Sequence, residues 1–129
     1  METNKKIFII DDDNFLLDMY ALKFKKSNFE VATALGPEMA LDFLRKGLNP
    51  DIILLDIVMP VMDGFELMEK MKEEKLGEKA IKIILSNRGQ PSDIVRGEAL
   101  GAVGHIVKAS STPSEVIEKV NEIISNQKN

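Results

Sequence analysis

Cysteine is absent from the chain and histidine occurs once. No disulfide, thiolate metal site or thiol nucleophile is therefore available, an absence that fits a reducing compartment. Long apolar runs are missing as well. None reaches the length needed to cross a bilayer, and Met1-Glu2-Thr3-Asn4-Lys5-Lys6 leads into four apolar residues before three aspartates, too few for a signal-peptide core. There is no excess of positive charge: the net charge of -4 argues against nucleic acid as the main partner. Lys5, Lys6, Lys23, Lys25 and Lys26 make locally basic stretches that read as a solvated face. The expectation is a cytoplasmic protein that engages neither membrane nor nucleic acid.

What is present is an ordinary globular composition, 44% hydrophobic and 29% charged over 129 residues, enough chain to bury a core without staples. With no internal repeat or interdomain linker, residues 1–129 read as a single domain with its core over about 5–125.

The central stretch is Asp51-Ile52-Ile53-Leu54-Leu55-Asp56, an apolar run ending in a lone carboxylate. A strand apolar on both faces reads as one buried on both sides, as in a parallel sheet. Open α/β sheets put their ligand sites at the carboxyl ends of such strands. Around it, Ile7–Ile10 reads as a first strand, ending in Asp11-Asp12-Asp13, with Asp13 able to cap a helix. Leu16, Met19, Tyr20 and Phe24 give that helix one apolar face, and Ser27-Asn28 breaks it. Phe29–Thr33 alternates as a half-exposed strand would.

Pro37 suits the start of a second helix with Ala40, Phe43 and Leu44 as its buried stripe, ended by Gly47. Leu67, Met68 and Met71 mark a third helix, continued by Lys72–Lys75 and closed at Gly77. Ile81–Leu85 is a fourth strand ending at Ser86. Pro91 opens a short helix interrupted by Gly97 and stopped by Gly101. Val103–Val107 is a fifth strand ending at Lys108. Thr112-Pro113-Ser114-Glu115 is a capping box for a last helix with Val116, Ile117, Val120, Ile123 and Ile124 inward, and Ser125–Asn129 should fray. Five strands alternating with five helices through short links predict a parallel, doubly wound α/β sheet.

In such a sheet Asp11, Asp12, Asp56, Ser86 and Lys108 converge on one edge, because each lies directly after an apolar strand run. Clustered carboxylates need a cation, and oxygen ligands with one histidine and no cysteine favour a hard ion, Mg²⁺ or Mn²⁺, over Zn²⁺. Lysine and a hydroxyl would neutralise and bind phosphate, and an aspartate can itself be the nucleophile, giving an acyl phosphate.

With these residues in register, the chain resembles the receiver domain of two-component response regulators over nearly its whole length. The resemblance rests on Ile9-Ile10-Asp11-Asp12-Asp13, on Asp56-Ile57-Val58-Met59-Pro60-Val61-Met62-Asp63-Gly64, on Ile84-Leu85-Ser86 and on Gly104-His105-Ile106-Val107-Lys108. It implies a flavodoxin-like fold and a switch, rather than a turnover enzyme, that takes a phosphoryl group from a histidine kinase or phosphotransfer protein and signals to a downstream protein. It makes Asp56 the phosphoacceptor and Asp12 a direct metal ligand, with Asp11 acting through metal-bound water. The Val58 backbone carbonyl would complete the metal shell, Lys108 would pair with the phosphoryl group, and Ser86 and His105 would be switch residues. The switching surface would be the fourth helix, fifth strand and fifth helix.

The chain departs from that pattern at four positions. Ala109 follows Lys108 where receivers usually have proline, often after a cis bond, which leaves a trans or a strained loop open. Asn87 stands where a small residue is preferred, and its bulk would narrow phosphodonor access. Val58 is apolar at a rim position tied to dephosphorylation, and His105 stands where receivers usually have tyrosine or phenylalanine. Two other functions compete with the switch. An aspartyl-phosphate phosphohydrolase would usually carry a second aspartate where Val58 stands, and an unphosphorylated pseudo-receiver, acting as a binding module, would not need the intact acidic set.

Overall fold

The computed structural model describes residues 4–127. The sequence readings for Met1–Thr3 and for the fraying of Lys128-Asn129 lie outside the described residues. Strands β1 (Lys6–Asp11), β2 (Glu30–Leu35), β3 (Ile52–Leu55), β4 (Ile81–Ser86) and β5 (Ala102–Val107) alternate with helices α1 (Asn14–Lys26), α2 (Pro37–Arg45), α3 (Gly64–Glu73), α4 (Pro91–Ala99) and α5 (Pro113–Asn126). A 3-10 turn, Lys108–Ser110, precedes α5. Every pairing is parallel and the strand order is β2-β1-β3-β4-β5. This is the doubly wound, flavodoxin-like arrangement expected, with its topological switch point between β1 and β3.

Strand residues alternate between faces, so the sheet divides the interior into two cores. Phe8, Ile10, Ile53, Leu55 and Ile84 pack on one side with Ala40, Leu41, Leu44, Phe65, Leu67, Met68 and Met71. Ile7, Ile9, Ile52, Leu54, Ile83 and Leu85 pack on the other with Leu17, Tyr20, Phe24, Val116, Ile117, Val120 and Ile124. Both faces of β1, β3 and β4 are thereby covered, which is why their sequences are nearly continuous apolar runs. The expected caps form: Asp13 accepts the Leu16 N–H at 3.1 Å, and Thr112 and Glu115 close the capping box of α5.

Three local readings need correction. Phe43 is 42% exposed, not part of the buried stripe of α2. Pro37, Ala40, Leu41 and Leu44, spaced as one helical face, take the buried positions, and Phe43 lies on their flank with its ring edge-on to Phe8. The third helix ends at Glu73, because Lys75 adopts a left-handed φ of 59°. Gly97 does not interrupt α4, which runs through it. A Cβ at Gly97 would come within 2.6 Å of the Ile84 side chain, so this glycine lets the helix lie close on β4.

Gly64 matters more for the site. A Cβ there would collide with the Asp56 carbonyl oxygen and lie 2.8 Å from the Ile57 Cα. The Gly64 N–H also donates to the Ile57 carbonyl at 2.7 Å, so the start of α3 is seated directly on the backbone that carries Asp56. Because the obstacle is backbone rather than a flexible side chain, Gly64→Ala should lower stability by about 2–3 kcal/mol, as overpacking does. Urea unfolding of the two proteins measures this, and a loss below the fitting error would contradict the close seating of α3.

Candidate functional site

The carboxyl ends of β1, β3, β4 and β5 form one edge of the sheet and carry Asp11, Asp56, Ser86 and Lys108. The Asp56 N–H donates to the Ile10 carbonyl at 3.1 Å, continuing the β1–β3 ladder one residue past the strand. That bond sets Asp56 beside Asp11 at the switch point. Asp12 follows at the surface, and oxygens of Asp11, Asp12 and Asp56 lie within 4.8 Å of one another. Asp11 and Asp56 are buried and Asp12 is exposed.

Lys108 enters this cluster from the end of β5. Its Nζ donates to Asp11 Oδ2 at 2.7 Å and to Asp56 Oδ2 at 2.8 Å, with the lysine side chain only 10% exposed. The other oxygen of each aspartate is held locally: Asp11 Oδ1 accepts the Asp13 N–H at 3.0 Å, and Asp56 Oδ1 accepts the Val58 N–H at 3.2 Å. One ammonium facing three carboxylates leaves the cluster net anionic. Burial pushes the Asp11 carboxyl above its ordinary value, although Lys108 pulls the other way. Burial disfavours the Lys108 ammonium, but the two carboxylates outweigh it and hold the lysine above its ordinary value.

Ser86 is fully buried, and its Oγ accepts the Arg88 N–H at 3.3 Å. Ser86 and Val58 line the same open cleft as the three aspartates and Lys108, joined by Asp13, Leu16 and Asn87. Every predicted metal and phosphoryl-contacting residue therefore meets in one cleft. His105 does not line it. It borders a separate small cavity with Ile84, Ile94 and Gly97, between β4, α4 and β5. Its Nε2 donates to the Arg88 carbonyl at 2.6 Å, and its Nδ1 is buried without a hydrogen-bond partner.

Several features of the site carried no signal in the sequence. Arg88 reaches Asp93 with a 2.8 Å hydrogen bond, and its guanidinium also stands 5.9 Å from the Phe65 ring centroid. Asn87 Oδ1 accepts the Ala109 N–H at 2.8 Å. The described residues contain no cis peptide bond, so Lys108-Ala109 is trans, one of the two alternatives open from the sequence. Val61, 90% exposed, has a φ of 73° beneath a Met62 N–H to Pro60 carbonyl bond of 2.8 Å, a γ-turn on the loop between Asp56 and α3.

Residues 7–121 match the family model of the response regulator receiver domain. Over 123 residues the chain is 32% identical to the phosphate regulon transcriptional regulatory protein PhoB of Rhizobium meliloti, an alignment covering 95% of this chain and 53% of that protein. It is 31% identical to the alkaline phosphatase synthesis transcriptional regulatory protein PhoP of Bacillus subtilis, over 94% of this chain and 49% of that protein. The chain thus spans about half the length of these curated relatives. Among solved structures, chemotaxis protein CheY4 of Vibrio cholerae superposes with a TM-score of 0.84 at 26% identity, covering 94% of this chain and 99% of that one. A CheY-like receiver domain protein of Methanospirillum hungatei gives a TM-score of 0.84 at 27% identity, covering 97% of both chains.

The pairing of Lys108 has a pH signature. A lysine held above its ordinary 10.5 adds stability that is complete below that value and is lost as pH rises through the higher native value. A carboxyl held above its ordinary value shifts stability in the same direction, at lower pH: the native state keeps the proton longer, so stability falls as pH rises from the ordinary value through the native one. Removing the ammonium leaves buried carboxylates that can be relieved only by protonation. In metal-free buffer, Lys108→Met should cost about 3 kcal/mol at pH 7.5 and clearly less at pH 5, read from urea titrations. An equal cost at both pH values would refute the pairing.

Proposed function

The chain belongs to the response regulator receiver family, and on that premise we propose that it is a phosphorylation-controlled switch with Asp56 as its phosphoacceptor. The observation that carries this reading is the Lys108 ammonium held between Asp11 and Asp56 at 2.7 and 2.8 Å, with a third carboxylate, Asp12, beside them. A histidine kinase or phosphotransfer protein supplies phosphohistidine. An Asp56 oxygen attacks the phosphorus, the new O–P bond forms as the P–N bond breaks, and the departing imidazole nitrogen keeps the electron pair and is protonated from solvent. Lys108 already reaches Asp56 Oδ2, so its ammonium can follow the charge onto the phosphoryl oxygens. The Ser86 hydroxyl, in the same cleft, supplies a hydrogen bond to the phosphoryl group.

Asp11, Asp12, Asp56 and the Val58 carbonyl would hold Mg²⁺ or Mn²⁺, since an anionic all-oxygen donor set fits a hard divalent cation. Bound there, the cation would neutralise charge on the transferred phosphoryl group. The acyl phosphate is lost by self-hydrolysis rather than by turnover of an external substrate.

The readout runs through the loop between β4 and α4. Ser86 begins that loop, and the His105 ring holds its Arg88 carbonyl at 2.6 Å. A shift of Ser86 toward a phosphoryl group draws on the same segment that His105 grips, and so biases the α4–β5–α5 face between two arrangements. A downstream protein in the cytoplasm reads that face.

Incubation with acetyl phosphate or phosphoramidate should add one phosphoryl mass in the presence of Mg²⁺ and none in EDTA. Asp56→Asn should abolish the gain, as seen by intact-mass spectrometry over time. Labelling that persists in Asp56→Asn removes Asp56 as acceptor. Failure of the unmodified chain to take up either phosphate or beryllofluoride would favour a binding module instead.

A further inference from the structure

The β4–β5 ladder ends with Ser86 opposite Val107. Beyond that pair the two strands part into separate loops, and the next residues on either side are the ones that matter: Asn87 after Ser86, and Lys108-Ala109 after Val107. There the Asn87 side chain takes over from the backbone. Its Oδ1 accepts the Ala109 N–H at 2.8 Å, across 22 residues of sequence. Besides the two carboxylate bonds of the Lys108 side chain, the turn has local bonds from Ser111 N–H to the Lys108 carbonyl at 3.2 Å and from Ser110 Oγ to the Val107 carbonyl at 3.4 Å, and a bond to α5 from Lys119 Nζ to Ser111 Oγ at 2.8 Å. These shape the turn but do not fix it relative to β4.

We propose that Asn87 is a positioning residue for Lys108, acting through the backbone N–H of Ala109. The inference rests on Asp56 being the phosphoacceptor and deepens that reading. Lysine is a point charge on a flexible four-carbon stem, so where its ammonium stands depends on where its Cα is held. Lys108 must reach two buried carboxylates at once. A tie on the very next backbone amide fixes the root of that stem, and its other end follows directly from Ser86, so hydroxyl and ammonium are held in one frame.

The bond also joins two of the positions at which the chain departs from the receiver pattern. A proline at 109 would have no N–H to offer, and a small residue at 87 would have no side-chain oxygen to accept one. Ala109 supplies the donor and Asn87 the acceptor. Losing the proline alone would loosen the Lys108 turn, whereas with Asn87 as acceptor the turn is tied to β4 with a trans peptide bond. Asn87 is exposed at the cleft rim, so a role as a steric gate is the competing account.

Two variants of the full chain separate these accounts. Asn87→Ala removes both acceptor and bulk, and Asn87→Leu removes the acceptor while keeping the bulk. Amide hydrogen exchange by NMR reports the bond itself, and the Ala109 N–H should exchange about tenfold faster in both variants. Phosphoramidate labelling in Mg²⁺ reports the function. The saturating rate should fall about fivefold in both, the equivalent of one hydrogen bond of about 1 kcal/mol, with the half-saturating phosphoramidate concentration unchanged. Faster labelling in Asn87→Ala with an unchanged rate in Asn87→Leu would make Asn87 a gate and overturn the proposal. Unchanged Ala109 exchange would overturn it equally. If no protein is labelled, the unmodified chain included, the phosphoacceptor reading fails, while the exchange measurement still decides whether the bond exists.

Discussion

Three carboxylates brought within 4.8 Å of one another, two of them buried, would repel one another strongly. Lys108 is what makes the arrangement tenable, and much of the architecture serves to deliver that one ammonium. The parallel sheet sends the ends of β1, β3 and β5 to the same edge. The backbone of Asp56 is locked to β1 on one side and pressed by Gly64 on the other. The N–H groups of Asp13 and Val58 satisfy the oxygens of Asp11 and Asp56 that Lys108 does not reach. The remaining excess of negative charge is a standing cost to the fold, borne at the point where chemistry needs it.

Which parts of this were legible in the sequence follows from the kind of interaction involved. β1, β3 and β4 were legible because a strand covered on both faces is apolar throughout, and the helix starts because Asp13 and Thr112 cap locally. The convergence of Asp11, Asp56, Ser86 and Lys108 was legible because parallel strands leave their carboxyl ends no other edge. Phe43 was misread because periodicity marks a stripe centred on Ala40 and Leu44 but not which flank of it turns to the sheet; Leu41 does. Gly97 was misread as a breaker because the need for close contact with Ile84 is visible only once α4 lies on β4. The links from Asn87 to Ala109 and from His105 to Arg88 leave no trace in any local pattern, since a side chain meeting a distant backbone group has no period.

The sheet's separation of the interior into two cores bears on how such a chain can diverge. Residues on opposite faces share no packing partners, so the energetic effects of substitutions on the α2–α3 side and the α1–α5 side should add rather than compound. Lineages can then accumulate changes in one core without first waiting for compensation in the other. A divided interior in this sense gives the lineage two separate reserves of tolerated variation, one on each side of the sheet that carries the acidic edge.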